Sequence, residues 1–378
     1  MTRLNAWLLL ALAIAVPLSL LAGRVWIDPF DPQLPNAAVI FAELRLPRAV
    51  LALVLGAGLG AAGAAMQGYL RNPLADPGLF GIAPGAALGA VLSFWTGWAA
   101  SGWALPLFAL AGAGGAMALL GAIAGRSGGV LLFTLAGMMI ASLAGALMSL
   151  AISLSPTPFA MSEIVTWLMG ALVDRGWADV WIAAPLTLAG IAVLLRAGRS
   201  LDALTLGEVA ARSLGIDPQR LQGLMIAGIG LTVGAGVAVA GIIGFVGLMV
   251  PHFVRPLTDR RPSSLIVPSA LAGALLLLVA DCLCRIVPLA GGELRLGIAL
   301  SLWQHRRYIA EVNKMARAYA GQDLRLVDAP PADMWFEIET VEPCALVVEG
   351  LHVAMGDAAR DSRPALSADE ARLLSLAS

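Results

Sequence analysis

Apolar residues dominate positions 1–303 in long runs that short polar, Gly/Pro-rich clusters interrupt. Runs near 5–23, 48–68, 78–98, 103–124, 130–153, 163–195, 222–241, 242–257 and 265–287 suit the roughly 30 Å hydrocarbon layer that a transmembrane helix must cross. They predict nine membrane helices, the overlong 163–195 run starting in the interface. A tenth begins at about Glu293, but LRLGIALSLW offers only about eight apolar residues before Gln304, His305, Arg306 and Arg307 arrive. The expected fold class is all-α: a polytopic membrane bundle of about nine to ten helices in two related halves, with an atypical C-terminal tail. The N-terminal run has the positive start and small-residue end of a signal peptide. Further hydrophobic spans follow at once, so an uncleaved first helix is expected.

The two halves show in an internal echo. Gly56–Gly63 reads GAGLGAAG and Gly234–Gly241 reads GAGVAVAG, identical at five of eight positions, and each precedes an amphiphilic turn. Paired halves are a common transporter construction.

Composition sharpens the boundary. The 378 residues are 59% hydrophobic and 13% charged, with mean hydropathy +0.84, against about 25% charged in globular domains. Residues 1–303 hold 16 basic and 13 acidic side chains, while 304–378 hold 8 and 12. Positions 1–303 therefore form a membrane domain and 304–378 a polar tail, expected to be partly disordered. A net charge of −1 offers no basic stripe to neutralise phosphates, so nucleic acid is excluded as a partner. With the N-terminus inside, ten arginines (3, 71, 126, 196, 199, 212, 220, 255, 260 and 261) face the cytoplasm and six (24, 45, 48, 175, 285 and 295) face out, obeying the positive-inside tendency.

Three motifs carry candidate chemistry. In QGYLRNPLADPGLFGI (Gln67–Ile82), Pro73 and Pro77 stop the preceding helix. Asn72 and Asp76 are placed to cap neighbouring backbone groups, and Arg71 anchors the turn at the headgroups. LTLGEVAARSLGIDPQRL (Leu204–Leu221) predicts a short exposed helix pair: Gly215 ends the first helix, and Asp217-Pro218 begins the second as cap and first-turn proline. Glu208 and Arg212 share a face, with Leu206, Val209, Ala210, Ser213 and Leu214 near another. In GIIGFVGLMVPHFVRPL (Gly241–Leu257), Gly241, Gly244 and Gly247 predict one bare helix face for close packing, Pro251 a helix break, and His252 a helix-terminal polar residue rather than a metal ligand.

Arg45, Arg48 and Arg285 form a further constellation at the outer ends of two helices, where they snorkel or pair; Asp281, one turn before Arg285, is a candidate partner. Cys282 and Cys284, two residues apart in an apolar helix, do not make a zinc pair, and no metal site is expected. There is no GxxxxGK[ST], and Lys314 is the only lysine, so the chain has no P-loop cradle for ATP. No catalytic constellation stands in a polar cleft. A secondary transporter would need ionisable residues at mid-membrane depth; apart from Asp281 and Glu163, both expected near the outer face, the sequence offers none.

These motifs resemble those of the membrane subunits of ABC importers for iron–siderophore complexes, haem and cobalamin, from about Leu4 to Leu302. The resemblance implies a non-enzymatic permease of the bacterial inner membrane that carries a ferric chelate by alternating access, with cobalamin or haem as alternative cargo. It implies a second permease subunit (a homodimer or a close paralogue), a cytoplasmic ABC ATPase dimer that binds the ATP, and a periplasmic substrate-binding protein; the chain itself needs no cofactor. Coupling to the ATPase falls on Leu206, Gly207, Glu208, Ala211, Arg212, Leu214 and Gly215. Docking of the binding protein falls on Arg45, Arg48 and Arg285. The translocation path and family motifs fall on Gly56, Gly60, Gly63, Gln67, Arg71, Asn72, Pro73, Asp76, Pro77, Gly241, Gly244, Gly247, Pro251 and His252. The family has ten helices, and here the tenth gives way to the tail. Ala345–Val353 (ALVVEGLHV) resembles the opening strand of an ABC ATPase. A frameshift or gene fusion is the expected origin, a natural extension the alternative, and a transport-incompetent permease one consequence.

Overall fold

The computed structural model describes residues 3–23, 37–125, 129–155, 157–287 and 293–300. The chain divides after Leu302; every described residue belongs to the first unit, and the expectations for 304–378 lie outside them. Among the described residues the regular structure is entirely helical. The principal helices are α1 (Arg3–Leu21), α2 (Leu46–Leu70), α3 (Ile82–Trp95), α4 (Ala104–Ala124), α5 (Val130–Ser153), α6 (Pro158–Leu168), α7 (Trp177–Leu204), α8 (Glu208–Ser213), α9 (Pro218–Ala240), α10 (Val246–Val254) and α11 (Pro262–Ile286). A π-helical stretch, Ile40–Arg45, leads into α2.

Seven of these are long and apolar enough to span a membrane: α1, α2 with its π-helical lead, α4, α5, α7, α9 and α11. The nine expected spans differ from this in three places. The 163–195 run is two helices, because Gly170 and Asp174 take positive φ (68° and 58°) and Asp179 accepts the Gly176 N–H at 3.0 Å to start α7. The 78–98 run contains only the 14-residue α3, about 21 Å long at 1.5 Å per residue. In the 242–257 run the first residues are unwound, and only nine form α10. The expected tenth helix does begin: 296–300 is helical, with Leu296 and Leu300 buried.

Small residues place α2 and α9 at the centre, each buried over 78% of its most apolar window against 6% for α1. α2 packs against α11, α7, α10 and α9. An ideal Cβ on Gly56 would stand 2.3 Å from the Gly273 carbonyl oxygen, and one on Gly60 2.1 Å from that of Ser269. Gly56-x3-Gly60 on α2 therefore lies backbone to backbone with Ser269-x3-Gly273 on α11. With lipid as apolar as leucine, such close contact rather than hydrophobicity holds membrane helices together.

Candidate functional site

The first motif forms the connection between α2 and α3. Arg71 closes α2 in the left-handed conformation (φ 51°), its N–H returning to the carbonyls of Gln67 and Gly68. The Asn72 side chain accepts the Leu74 N–H at 2.9 Å. That of Asp76 accepts the Gly78 N–H at 2.6 Å, with Pro77 opening a single 3-10 turn. Both caps are local and follow the sequence. The connection then folds back along α2, bringing Pro77 against Gly247.

The second motif departs from expectation. Gly241, Gly244 and Gly247 share no helix face, because Gly241 (φ 72°) ends α9 and Phe245 (φ 69°) precedes α10. Gly241 fits under the Trp167 carbonyl, which an ideal Cβ would approach to 2.3 Å; around Gly244 there is open space. Pro251 does not break α10 but sits inside it. A proline there has no N–H to give the carbonyl four residues back, which is Gly247's. That carbonyl oxygen lies against Gly63, where an ideal Cβ would be only 1.9 Å away. Gly63 and Pro251 thus belong to one contact. His252 is exposed, its ring 6.0 Å from that of Phe253.

The two motifs meet, which the sequence reading did not foresee. Buried Gln67 donates its side-chain amide to the Leu248 carbonyl at 3.0 Å and accepts from Arg255 at 2.7 Å. Burial lowers the Arg255 pKa from its ordinary value. Asp76, whose carboxylate accepts the Gly78 N–H, lies beside Phe245. Between the unwound segments is a cavity of about 290 Å³, its wall including Leu55, Leu59, Asp76, Val233, Ile242 and Phe245. Replacing Gln67 by leucine removes the acceptor of the Arg255 guanidinium and the side-chain donor to the Leu248 carbonyl. It should cost about 1–3 kcal/mol, read as a lower melting temperature of the detergent-solubilised chain.

Gly56, Gly60 and Gly63 form an internal packing seam, Gly56 and Gly60 against α11 and Gly63 against α10. The uncovered apolar surface lies elsewhere, prominently on α5 and α6, where Leu131, Met139 and Phe159 are exposed.

The three arginines converge, but on their own chain. Arg48 makes a bidentate contact with the fully buried Asp281 (Nη2 to Oδ1 2.8 Å, Nε to Oδ2 3.1 Å) and reaches Glu293 at 2.7 Å. Arg285 pairs with Asp281 at 3.1 Å and donates to the Ser19 and Ala22 carbonyls at 3.1 and 3.2 Å. Arg45 donates to the Leu20 and Leu21 carbonyls at 2.6 and 3.0 Å, with its guanidinium 5.2 Å from the Phe41 ring centre. The arginines thus bridge the C-terminal end of α1, the start of α2, α11 and the lead into the tenth helix. Among the described residues Arg48 and Arg285 hold internal carboxylates, and Arg45 holds backbone carbonyls.

The remaining motif forms α8. Gly207 (φ 100°) and Gly215 (φ 81°) bound it, and Asp217 caps α9 by accepting the Gln219 N–H at 2.9 Å. The expected second short helix is instead the start of the span α9, with Pro218 at its first turn. Leu206, Val209 and Leu214 are 67%, 81% and 62% exposed, and Arg212 is exposed too. Ala211 is buried, and Glu208 is half-buried.

A central bundle seamed by glycine, two unwound segments in contact, and a short exposed helix on a membrane domain define a permease of the ABC-importer class. The chain belongs to the FecCD transport family, which it matches over residues 9–303, and it is a protein of the inner membrane. It is 38% identical over 301 residues to the "Vitamin B12 import system permease protein BtuC" of Escherichia coli O17:K52:H18, covering 77% of this chain and 90% of that one. The BtuC of Shigella flexneri is equally similar over 301 residues. A solved chain of an inward-facing "metal-chelate type ABC transporter" superposes with a TM-score of 0.74 at 32% identity, covering 82% of this chain and 99% of that one.

Proposed function

We propose that the chain is the membrane half of an ATP-driven importer that carries a bulky metal chelate inward by switching access from one face to the other. It works with a second permease subunit, identical or closely paralogous. An ABC ATPase dimer on the cytoplasmic side binds the ATP, and a periplasmic protein delivers the cargo. The observation that carries this reading is α8 and its flanks: Val209 on the short helix and Leu206 and Leu214 just beyond its two ends are large, apolar and exposed, in a chain without a P-loop. That face is the ATPase seat. Val209→Asp puts a charge at its centre and should weaken ATPase binding by about 2 kcal/mol, roughly thirtyfold. Co-purification of the ATPase with the solubilised permease measures it, and undiminished binding refutes the assignment.

On the outer face, Arg45, Arg48 and Arg285 remain the proposed docking site for the binding protein. Among the described residues Asp281 holds Arg48 and Arg285, and Glu293 holds Arg48 as well, so the binding protein would meet a cluster of fixed, oriented guanidiniums.

Two cargoes fit the class. A ferric siderophore is the reading from sequence resemblance, and a corrinoid is favoured by the names of the relatives at 38% identity. Uptake of radiolabelled ferric siderophore and radiolabelled cobalamin into proteoliposomes holding the complete complex separates them, and failure to accumulate either sinks both.

A further inference from the structure

α8 has an inner side as well as an outer one. Its Glu208 carboxylate turns inward and accepts the Val130 N–H at 3.5 Å. Val130 is the first residue of α5, one of the four whose amide protons have no partner within their own helix. A carboxylate is favoured there by the positive end of the helix dipole as well. Beside this contact lies a cavity of about 20 Å³ whose wall includes Glu208, Val130, Tyr69, Ala211 and Leu221. Its size suits about one water molecule, and the buried Tyr69 hydroxyl has no partner among the described residues. Glu208 thus joins the short exposed helix to α5, beside the Tyr69 hydroxyl at the end of α2.

The helices it joins differ in how firmly they are held. α2 is central, whereas the most apolar window of α5 is 28% buried, so a pull on α5 meets little resistance from neighbours. At either end of α8, Gly207 and Gly215 take positive φ with open space around them. The short helix can therefore tilt about its ends.

We propose that Glu208 is a positioning residue that transmits movement of α8 to the N-terminus of α5, rather than a contact for the ATPase. This rests on the reading of α8 as the ATPase seat. Leu206, Val209 and Leu214 receive the motor; Glu208 passes its stroke inward through its hydrogen bond to the Val130 N–H.

The test uses the complete complex in proteoliposomes, with wild type, Glu208→Ala, Glu208→Gln and Val209→Asp side by side. Glu208→Ala should keep ATPase co-purification and ATP hydrolysis while chelate uptake falls about tenfold or more, within the range of ordinary coupling energies. Glu208→Gln, which retains an oxygen acceptor, should recover most of the uptake. Unchanged uptake in Glu208→Ala overturns the proposal, as does an uptake loss matched by loss of ATPase binding; in that last case α8 remains the seat and Glu208 is part of it. If wild type binds no ATPase, the underlying reading falls with it. Should Glu208→Ala fail to fold, spin labels at Leu131 and Ser213, both exposed, report on the native link. Their separation should hold within about 2 Å on ATP binding, the scale of coupled helix shifts, and a larger separation refutes the link.

Discussion

Asp281→Ala should be among the most damaging single substitutions in this chain, lowering stability by about 3–5 kcal/mol. Asp281 is fully buried, and Arg48 and Arg285, themselves 12% and 6% exposed at the side chain, both pair with it. Taking charges out of water is costly, and the cost is met here only because each carboxylate oxygen meets a guanidinium. Removing the carboxylate leaves two cations of low exposure, and among the described residues only Arg48 keeps an acidic partner, Glu293. Asp281→Asn keeps an acceptor without the charge and should fall between alanine and wild type. The measurement is the melting temperature of the solubilised protein together with its membrane yield. A melting temperature within a degree or so of wild type would show the cluster is not structural.

Gly63→Val should rival it by a different route. A methylene forced into a packed core costs about 1–3 kcal/mol where side chains can give way. At Gly63 the obstacle is backbone: the Gly247 carbonyl, whose oxygen an ideal Cβ would approach to 1.9 Å. To relieve the clash α10 must move off α2, and that movement also strains the Gln67–Leu248 hydrogen bond and the seat of Pro77 against Gly247. Loss of at least about 3 kcal/mol is expected, read as a lower melting temperature and release of protein as aggregate on solubilisation. Gly121→Val, at a glycine with nothing within 4 Å, is the matched control and should leave both readouts near wild type.

These two sites also mark where sequence reasoning reached and where it stopped. The long helices α1, α2, α4, α5, α9 and α11 were legible because a span asks only that its residues be apolar over a sufficient length. So were the caps at Asn72, Asp76 and Asp217, since each acts two residues along the chain. The unwound stretch before α10 was not legible: GIIGF is as apolar as any helix, and what breaks it is the sign of φ at Gly241 and Phe245. Nor was the Arg48–Asp281 pair, whose members lie 233 residues apart. The local pairing of Asp281 with Arg285 was anticipated because it spans one helical turn. Glu208 and Arg212 were grouped on one face, whereas the structure separates them, Glu208 turning in and Arg212 out.

The grip of Arg285 on α1 has a consequence for biogenesis. The carbonyls it holds at the end of α1 lie 263 and 266 residues earlier in the chain. At roughly 5–20 residues per second, the ribosome needs on the order of tens of seconds to make the arginine after finishing α1. Through that interval the first helix enters the bilayer without the anchor that later fixes it.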